Sequence, residues 1–132
     1  MPEAASGSIK VLVIDDSNTI RRSAEIFLKQ GGHEVMLAED GFDALAKVND
    51  YQPNLIFCDI LMPRLDGYQT CAIIKRNAKF ADTPAVMLSS KDGVFDKARG
   101  RMVGSQDYLT KPFTKDQLLH AVEQFGLVQE TP

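Results

Sequence analysis

The sequence predicts an α/β fold: a single (βα)5 domain in which helices cover both faces of a doubly wound parallel sheet. Short apolar runs rich in β-branched residues alternate five times with stretches whose apolar residues recur at helical spacing. Regular alternation of strand and helix is typical of a parallel sheet, because each parallel strand needs a crossover before the next one. The 132 residues suffice for one hydrophobic core, and we expect one domain.

Five apolar runs are predicted to be strands. They are centred on Val11–Ile14, Val35–Leu37, Leu55–Phe57, Val86–Leu88 and Tyr108–Leu109. The first, third and fourth runs are apolar throughout, as expected for strands that are buried on both faces. With right-handed crossovers, we expect the flavodoxin-like strand order 2-1-3-4-5.

A helix is predicted after each strand. The first one repeats apolar residues at helical spacing until Gly31-Gly32, a typical helix end. The fourth is expected to carry Phe95, Ala98 and Met102 on one face.

The last predicted helix has the clearest start. Thr114 is expected to cap it, and Gln117 stands where it can complete a capping box. Phe113 and Leu118 occupy the two positions of a hydrophobic staple.

Composition and charge exclude several classes of protein. The net charge of -3 weighs against a nucleic-acid partner, and no apolar run approaches the roughly 20 residues needed for membrane insertion. Cys58 and Cys71 lack metal-site spacing, which favours reduced core thiols in a cytoplasmic protein. We expect a domain over residues 9–125, with a disordered lead over 1–8 and a short tail over 126–132.

Polar side chains end four of the five predicted strands. They are, in chain order, Asp15-Asp16, Asp59, Ser89 and Lys111-Pro112. Singly, each has an ordinary explanation: Asp16 or Ser17 can cap the first helix, and Asp59 can start a turn. Open parallel sheets bind ligands outside the carboxyl ends of their strands, so the joint placement predicts a site at this edge.

The charges of this set predict its chemistry. Two carboxylates about 4 Å apart repel by roughly 4 kcal/mol at an effective dielectric constant near 20. Three carboxylates and one Lys leave a net charge of about -2, which favours binding of a divalent cation. Oxygen ligands suit Mg²⁺, and a carboxylate beside Mg²⁺ and an ammonium can act as the nucleophile that forms an aspartyl-phosphate.

Four motifs carry a resemblance to a known family. They are VLVIDDS (11–17), FCDILMPRLDG (57–67), VMLSS (86–90) and DYLTKPF (107–113). Together they resemble the receiver domain of two-component response regulators, of the single-domain chemotaxis type, over about residues 10–125. Longer stretches, such as MPRLDGYQTCAIIK, resemble the PilG-type regulators of type IV pilus twitching motility.

The resemblance implies a phosphoacceptor and a metal site. Asp59 is expected to accept the phosphoryl group. Asp16, Asp59 and the backbone carbonyl of Leu61 are expected to bind Mg²⁺ directly, and Asp15 through water. An apolar Leu61, together with Lys91, would flank the attacking water, and we expect slow dephosphorylation because Leu61 offers that water no hydrogen-bond partner.

The resemblance also implies a switch. Lys111 is expected to contact the phosphoryl oxygens, and the Lys111-Pro112 bond is expected to be cis. Ser89 is expected to move toward the phosphoryl group, and Tyr108 to follow by changing rotamer.

The implied partners are a histidine kinase of the chemotaxis type, which donates the phosphoryl group, and a downstream target such as the pilus machinery or an adaptor. The target is expected on the fourth helix, fifth strand and fifth helix. The chain is not expected to be an enzyme, although it would assist its own phosphorylation and dephosphorylation. Two alternatives stay open: a phosphorylation-independent binding module on the same fold, and a receiver of flagellar-type chemotaxis.

Two other functions on such a fold fit the residues less well. A flavin carrier needs a phosphate-binding loop after strand one, where Asp15 and Asp16 would repel phosphate in the absence of a metal. Phosphatases with an aspartyl nucleophile usually carry a second Asp two residues later, where this chain has Leu61.

Overall fold

A computed structural model of the chain describes residues 7–90, 97–102, 104–105 and 107–126. One parallel sheet has the order β2-β1-β3-β4-β5, which confirms the expected flavodoxin-like order. Its strands are β1 (Lys10–Ile14), β2 (Glu34–Ala38), β3 (Leu55–Asp59), β4 (Ala85–Ser90) and β5 (Asp107–Lys111). The expected lead over 1–8 and tail over 126–132 fall almost entirely outside the described residues.

Helices follow the strands and cover the sheet. They are α1 (Asn18–Gln30), α2 (Gly41–Tyr51), α3 (Gly67–Arg76), α4 (Lys97–Met102) and α5 (Lys115–Ala121). A short 3-10 helix (Ala78–Phe80) follows α3, and a π-helical turn (Val122–Gly126) extends α5. Within the described parts of the chain, no helix has the length and apolar character needed to cross a bilayer.

Two hydrophobic cores lie on opposite faces of the sheet. Successive residues of a strand point to opposite faces, so β1 contributes Leu12 and Ile14 to one core, and Val11 and Val13 to the other. Helices α2 and α3 close the first core, and α1 and α5 close the second. The described residues of the central strand β3 are all buried, as predicted from its apolar sequence.

Polar caps start the helices. Ser17, rather than Asp16, caps α1 by accepting a hydrogen bond from the amide of Ile20. The predicted capping box of α5 is confirmed, because Thr114 accepts from the Gln117 amide and the Gln117 side chain accepts from the Thr114 amide. Such caps satisfy amides that have no partner inside the helix.

The predicted apolar face of the fourth helix is wrong for the described residues. Met102 is 85% exposed and Ala98 is also exposed, whereas Gly100 between them is buried. A helix turns by about 100° per residue, so positions two before and two after a buried residue point away from the core. Phe95, the third residue of that predicted face, falls outside the described residues.

Candidate functional site

Three carboxylates meet at the carboxyl edge of the sheet. Strands β1 and β3 are neighbours, with Ile14 opposite Cys58, so Asp15 and Asp59 emerge side by side. One oxygen from each of Asp15, Asp16 and Asp59 lies within 4.8 Å of the others. Asp15 and Asp59 are buried, Asp59 being only 3% exposed, whereas Asp16 faces solvent.

An ammonium group from the far side of the sheet completes the cluster. Lys111 lies at the end of β5, two strands away from β3, and its long side chain crosses the end of β4. Its Nζ atom donates hydrogen bonds to Oδ1 of Asp59 at 3.0 Å and to Oδ2 of Asp15 at 3.1 Å. The Lys111-Pro112 peptide bond is cis, as predicted.

Backbone contacts fix the position of Asp15. Its amide donates to the carbonyl of Ala38 in β2 at 3.1 Å, and its Oδ1 accepts from the amide of Ser17 at 2.9 Å. Its own carbonyl accepts a hydrogen bond from the Arg21 guanidinium at 2.6 Å. The carboxylate is therefore held between β2 and the start of α1, which limits its freedom to turn away from Lys111.

A glycine allows the β3–α3 loop to close on the phosphoacceptor candidate. The Gly67 amide donates to the carbonyl of Ile60 at 2.8 Å. A Cβ atom at position 67 would lie 2.2 Å from the carbonyl oxygen of Asp59, which is closer than any side chain permits. The Asp66-Gly67 pair inside the resembling motif marks this position, but a local sequence pattern does not show how closely the loop approaches Asp59.

The buried charges perturb each other. Burial raises the pKa of Asp59 to about 6, and the neighbouring Asp15 charge adds to the rise, while Lys111 offsets part of it. Burial alone would lower the pKa of Lys111, but its hydrogen bonds and attraction to Asp59 and Asp15 raise it. The ammonium therefore stays charged at neutral pH and does not fully compensate the carboxylates.

The donor set fits a hard divalent cation. All three clustered ligands are carboxylate oxygens, and carboxylate oxygen is the protein ligand that Mg²⁺ prefers. The Leu61 amide donates to Oδ1 of Asp59 at 3.3 Å, which places that residue beside the cluster. Its expected contribution through the backbone carbonyl stays a prediction.

The predicted switch residues lie on the neighbouring strands. Ser89 is buried near the end of β4, and its hydroxyl donates to the carbonyl of Ser90 at 3.3 Å. Tyr108 pairs with Met87 in the β4–β5 ladder and is partly exposed. Their motions stay predictions, and Lys91 falls outside the described residues.

A contact between α4 and the start of α3 was not predicted from the sequence. The Arg99 guanidinium carbon lies 4.4 Å from the centre of the Tyr68 ring, and the same group pairs with Asp66 at 3.5 Å. Helix α4 is therefore tied to the start of α3 by a cation–π contact and an ion pair. Local sequence patterns do not predict such a pairing, because Arg99 and Asp66 are 33 positions apart in the chain.

Comparisons with known proteins place the chain in a family. The sequence profile of the response regulator receiver domain matches residues 11–123. The chain is 64% identical over 121 residues to the protein PilG of Pseudomonas aeruginosa, covering 92% of this chain and 90% of that one. It is also 36% identical to the transcriptional regulator RpaA of Synechocystis, of which it spans 47%.

Solved structures show the same fold. The chemotaxis protein CheY4 of Vibrio cholerae superposes with a TM-score of 0.83 at 33% identity, over 88% of this chain and 97% of that one. A response regulator from Chloroflexus aurantiacus gives a TM-score of 0.83 at 30% identity, over 89% and 97%. The chain therefore belongs to the family of response regulator receiver domains.

Proposed function

We propose that this receiver domain signals through a phosphoryl group carried on Asp59 and that it controls type IV pilus twitching motility. The contact of one ammonium, Lys111, with two buried carboxylates, Asp59 and Asp15, carries the proposal. A buried carboxylate beside a fixed cation suits a nucleophile whose product is a charged acyl phosphate. Membership of the family and 64% identity to PilG support the assignment to a motility pathway.

The reaction is phosphoryl transfer from a phosphohistidine of the kinase. The bond between phosphorus and the imidazole nitrogen breaks, a bond to a carboxylate oxygen of Asp59 forms, and the imidazole takes up a proton from solvent. Lys111 offsets the charge that is spread over the phosphoryl oxygens. Mg²⁺ held by Asp15, Asp16, Asp59 and the carbonyl of Leu61 would add positive charge at the same oxygens. Hydrolysis of the acyl phosphate resets the switch.

The signal leaves the site along β4 and β5. The Ser89 hydroxyl lies on the strand next to Asp59 and turns toward the phosphoryl group as a new hydrogen-bond donor. Tyr108, on the next strand, changes rotamer in response. Contacts made only in the phosphorylated state shift the population between two conformations.

The partners follow from the exposed surfaces. Arg21, whose guanidinium donates to the Asp15 carbonyl, and its neighbour Arg22 meet the kinase from α1, while α4, β5 and α5 present the target surface. Within the target surface, the Arg99 guanidinium pairs with Asp66 and stacks on the Tyr68 ring. Its positive charge is therefore partly neutralised within the domain itself. The target is the pilus machinery or an adaptor, and both encounters take place in the cytoplasm.

Labelling by a small phosphodonor tests the proposal. Phosphoramidate with Mg²⁺ should add one phosphoryl group to the wild-type chain and to Asp50→Asn, which changes an exposed carboxylate on α2. Asp59→Asn should stay unlabelled in an intact-mass measurement. Labelling of Asp59→Asn to the wild-type extent would contradict the proposal, and an unlabelled wild type would favour a phosphorylation-independent binding module.

A further inference from the structure

Two large apolar side chains lie exposed at the same edge of the sheet as the acidic cluster. Phe42, in the first turn of α2, is 51% exposed, and Leu61, two residues after Asp59, is 66% exposed. Neither contributes to the two hydrophobic cores. Exposed apolar side chains beside a functional site can form part of an interaction surface. Together with Arg64, we call these residues the Phe42 rim.

Two residues of the Phe42 rim, Arg64 and Phe42, are held against each other. The guanidinium of Arg64 lies over the Phe42 ring at 5.1 Å and pairs with Oδ2 of Asp40 at 2.9 Å. Asp40 is itself fixed as the cap of α2, since its Oδ1 accepts from the Asp43 amide at 2.8 Å. A surface whose side chains are already ordered loses little conformational entropy when a partner binds.

Hydrogen bonds tie the two chain segments that carry the rim to the acidic cluster. The Leu61 amide contacts Oδ1 of Asp59, and the carbonyl of Ala38, two residues before Asp40, accepts from the Asp15 amide. Asp59 itself is recessed, with 3% of its surface exposed. A protein that delivers a phosphoryl group to Asp59 therefore has to seat itself over this pocket. Leu61, whose amide contacts Asp59, connects the rim to the pocket.

We infer that the Phe42 rim is a docking surface for the phosphohistidine-bearing domain of the kinase. The inference rests on the proposed function and adds a second contact surface for the donor, besides Arg21 and Arg22 on α1. The matching face of the donor would carry aliphatic side chains next to its histidine, to cover Phe42 and Leu61. It would also carry a carboxylate for the outward donors of Arg64, whose side chain is 65% exposed.

A comparison of protein and small-molecule donors tests this inference. The protein donor is the autophosphorylated kinase from the source organism that labels the wild-type chain fastest in a panel of such kinases. Phe42→Ala and Arg64→Ala should each lower kcat/KM for this transfer by about fivefold or more, as expected for an interface anchor. Labelling by phosphoramidate should be unchanged in both variants. Ile73→Ala, which truncates an exposed apolar residue on α3, should leave both reactions at the wild-type rate.

Each other outcome overturns the inference. Unchanged transfer from the kinase in Phe42→Ala and Arg64→Ala would show that the donor docks elsewhere. An equal loss with kinase and phosphoramidate would show that the rim acts through the pocket rather than through the partner. A wild type that accepts phosphoryl from phosphoramidate but from no kinase would refute the docking surface and leave the proposed acceptor intact. Failure of the proposed function is distinct, since the wild type would then accept from neither donor.

Discussion

The Nζ atom of Lys111 and Oδ1 of Asp59 lie 3.0 Å apart although 52 positions separate the two residues in the chain. The same ammonium lies 3.1 Å from Oδ2 of Asp15, so one positive charge serves two buried carboxylates. Strand order brings these groups together, because β1 and β3 are neighbours and only β4 stands between β3 and β5. The cluster therefore carries an excess of buried negative charge.

Removing the Asp59 charge should stabilise the fold. At about pH 8 the free energy of unfolding of Asp59→Asn should exceed that of the wild type by on the order of 1 kcal/mol, because a buried, repelled charge is lost. The folded pKa of about 6 lies above the unfolded value of 3.8, so the folded state binds the proton more tightly. The contribution of Asp59 to the free energy of unfolding therefore falls as pH rises from 3.8 through 6 and is constant above that window.

Urea unfolding at several pH values measures this effect. The advantage of Asp59→Asn should be largest above pH 6 and should shrink as Asp59 becomes protonated below it. Asp50→Asn provides the control, because it removes an exposed carboxylate outside the cluster. A destabilised Asp59→Asn at about pH 8 would mean that Lys111 more than compensates the buried carboxylates.

Magnesium affinity should depend on the same proton. A metal ligand has to be deprotonated, so the affinity for Mg²⁺ should rise by up to about tenfold per pH unit below the Asp59 pKa and level off above it. Titration calorimetry on the wild-type chain at values on both sides of pH 6 measures this change. Equal affinity across that range would show that Asp59 is not a ligand or is not protonated there.

Adding a side chain at position 67 should disrupt the β3–α3 loop. Gly67→Ala should lower the free energy of unfolding by about 2–4 kcal/mol, because its Cβ would overlap a backbone oxygen that cannot move without breaking the strand. Gly32→Ala is the comparison, because a Cβ atom at position 32 meets no other atom and the only strain comes from the positive φ of 88°. This variant should lower the free energy of unfolding by about 1 kcal/mol. Equal losses in the two variants, measured by chemical unfolding, would remove the close approach as the cause.

The side chain of Leu61 should set the phosphoryl lifetime. Leu61→Asn should shorten the half-life of the phosphorylated chain several-fold, because an amide can hold the attacking water that an apolar side chain cannot. Loss of radiolabel from purified phosphoprotein gives the rate, and Ile73→Asn controls for a new surface amide. A half-life unchanged by Leu61→Asn would show that water reaches the phosphoryl group along another path.

The strand order and the polar strand ends were predictable from the sequence. Fully apolar runs such as Val11–Ile14 mark buried central strands, and residues that directly follow such runs must emerge at the sheet edge. The same reasoning could not decide between Asp16 and Ser17 as the cap of α1, because both can accept an amide hydrogen bond. The choice depends on the backbone path, which directs Ser17 to the Ile20 amide.

Local sequence patterns could not predict contacts between segments that are distant in the chain. The approach of Gly67 to the Asp59 carbonyl depends on how tightly the loop closes, which composition does not report. The stacking of Arg64 on Phe42 joins the β3–α3 loop to the first turn of α2, two segments that are separate in sequence. The predicted burial of Met102 failed because the neighbouring Gly100, rather than a large apolar residue, faces the protein in this short helix.

A titration with beryllofluoride and Mg²⁺, followed by amide chemical shifts, tests the central claim most directly, because beryllofluoride mimics a phosphoryl group on a carboxylate. The wild-type chain should show saturable shifts at Ser89, Tyr108 and Lys111 only when both components are present, and Asp59→Asn should show none. The same shifts in Asp59→Asn, or none in the wild type, would contradict a switch set by a phosphoryl group on Asp59.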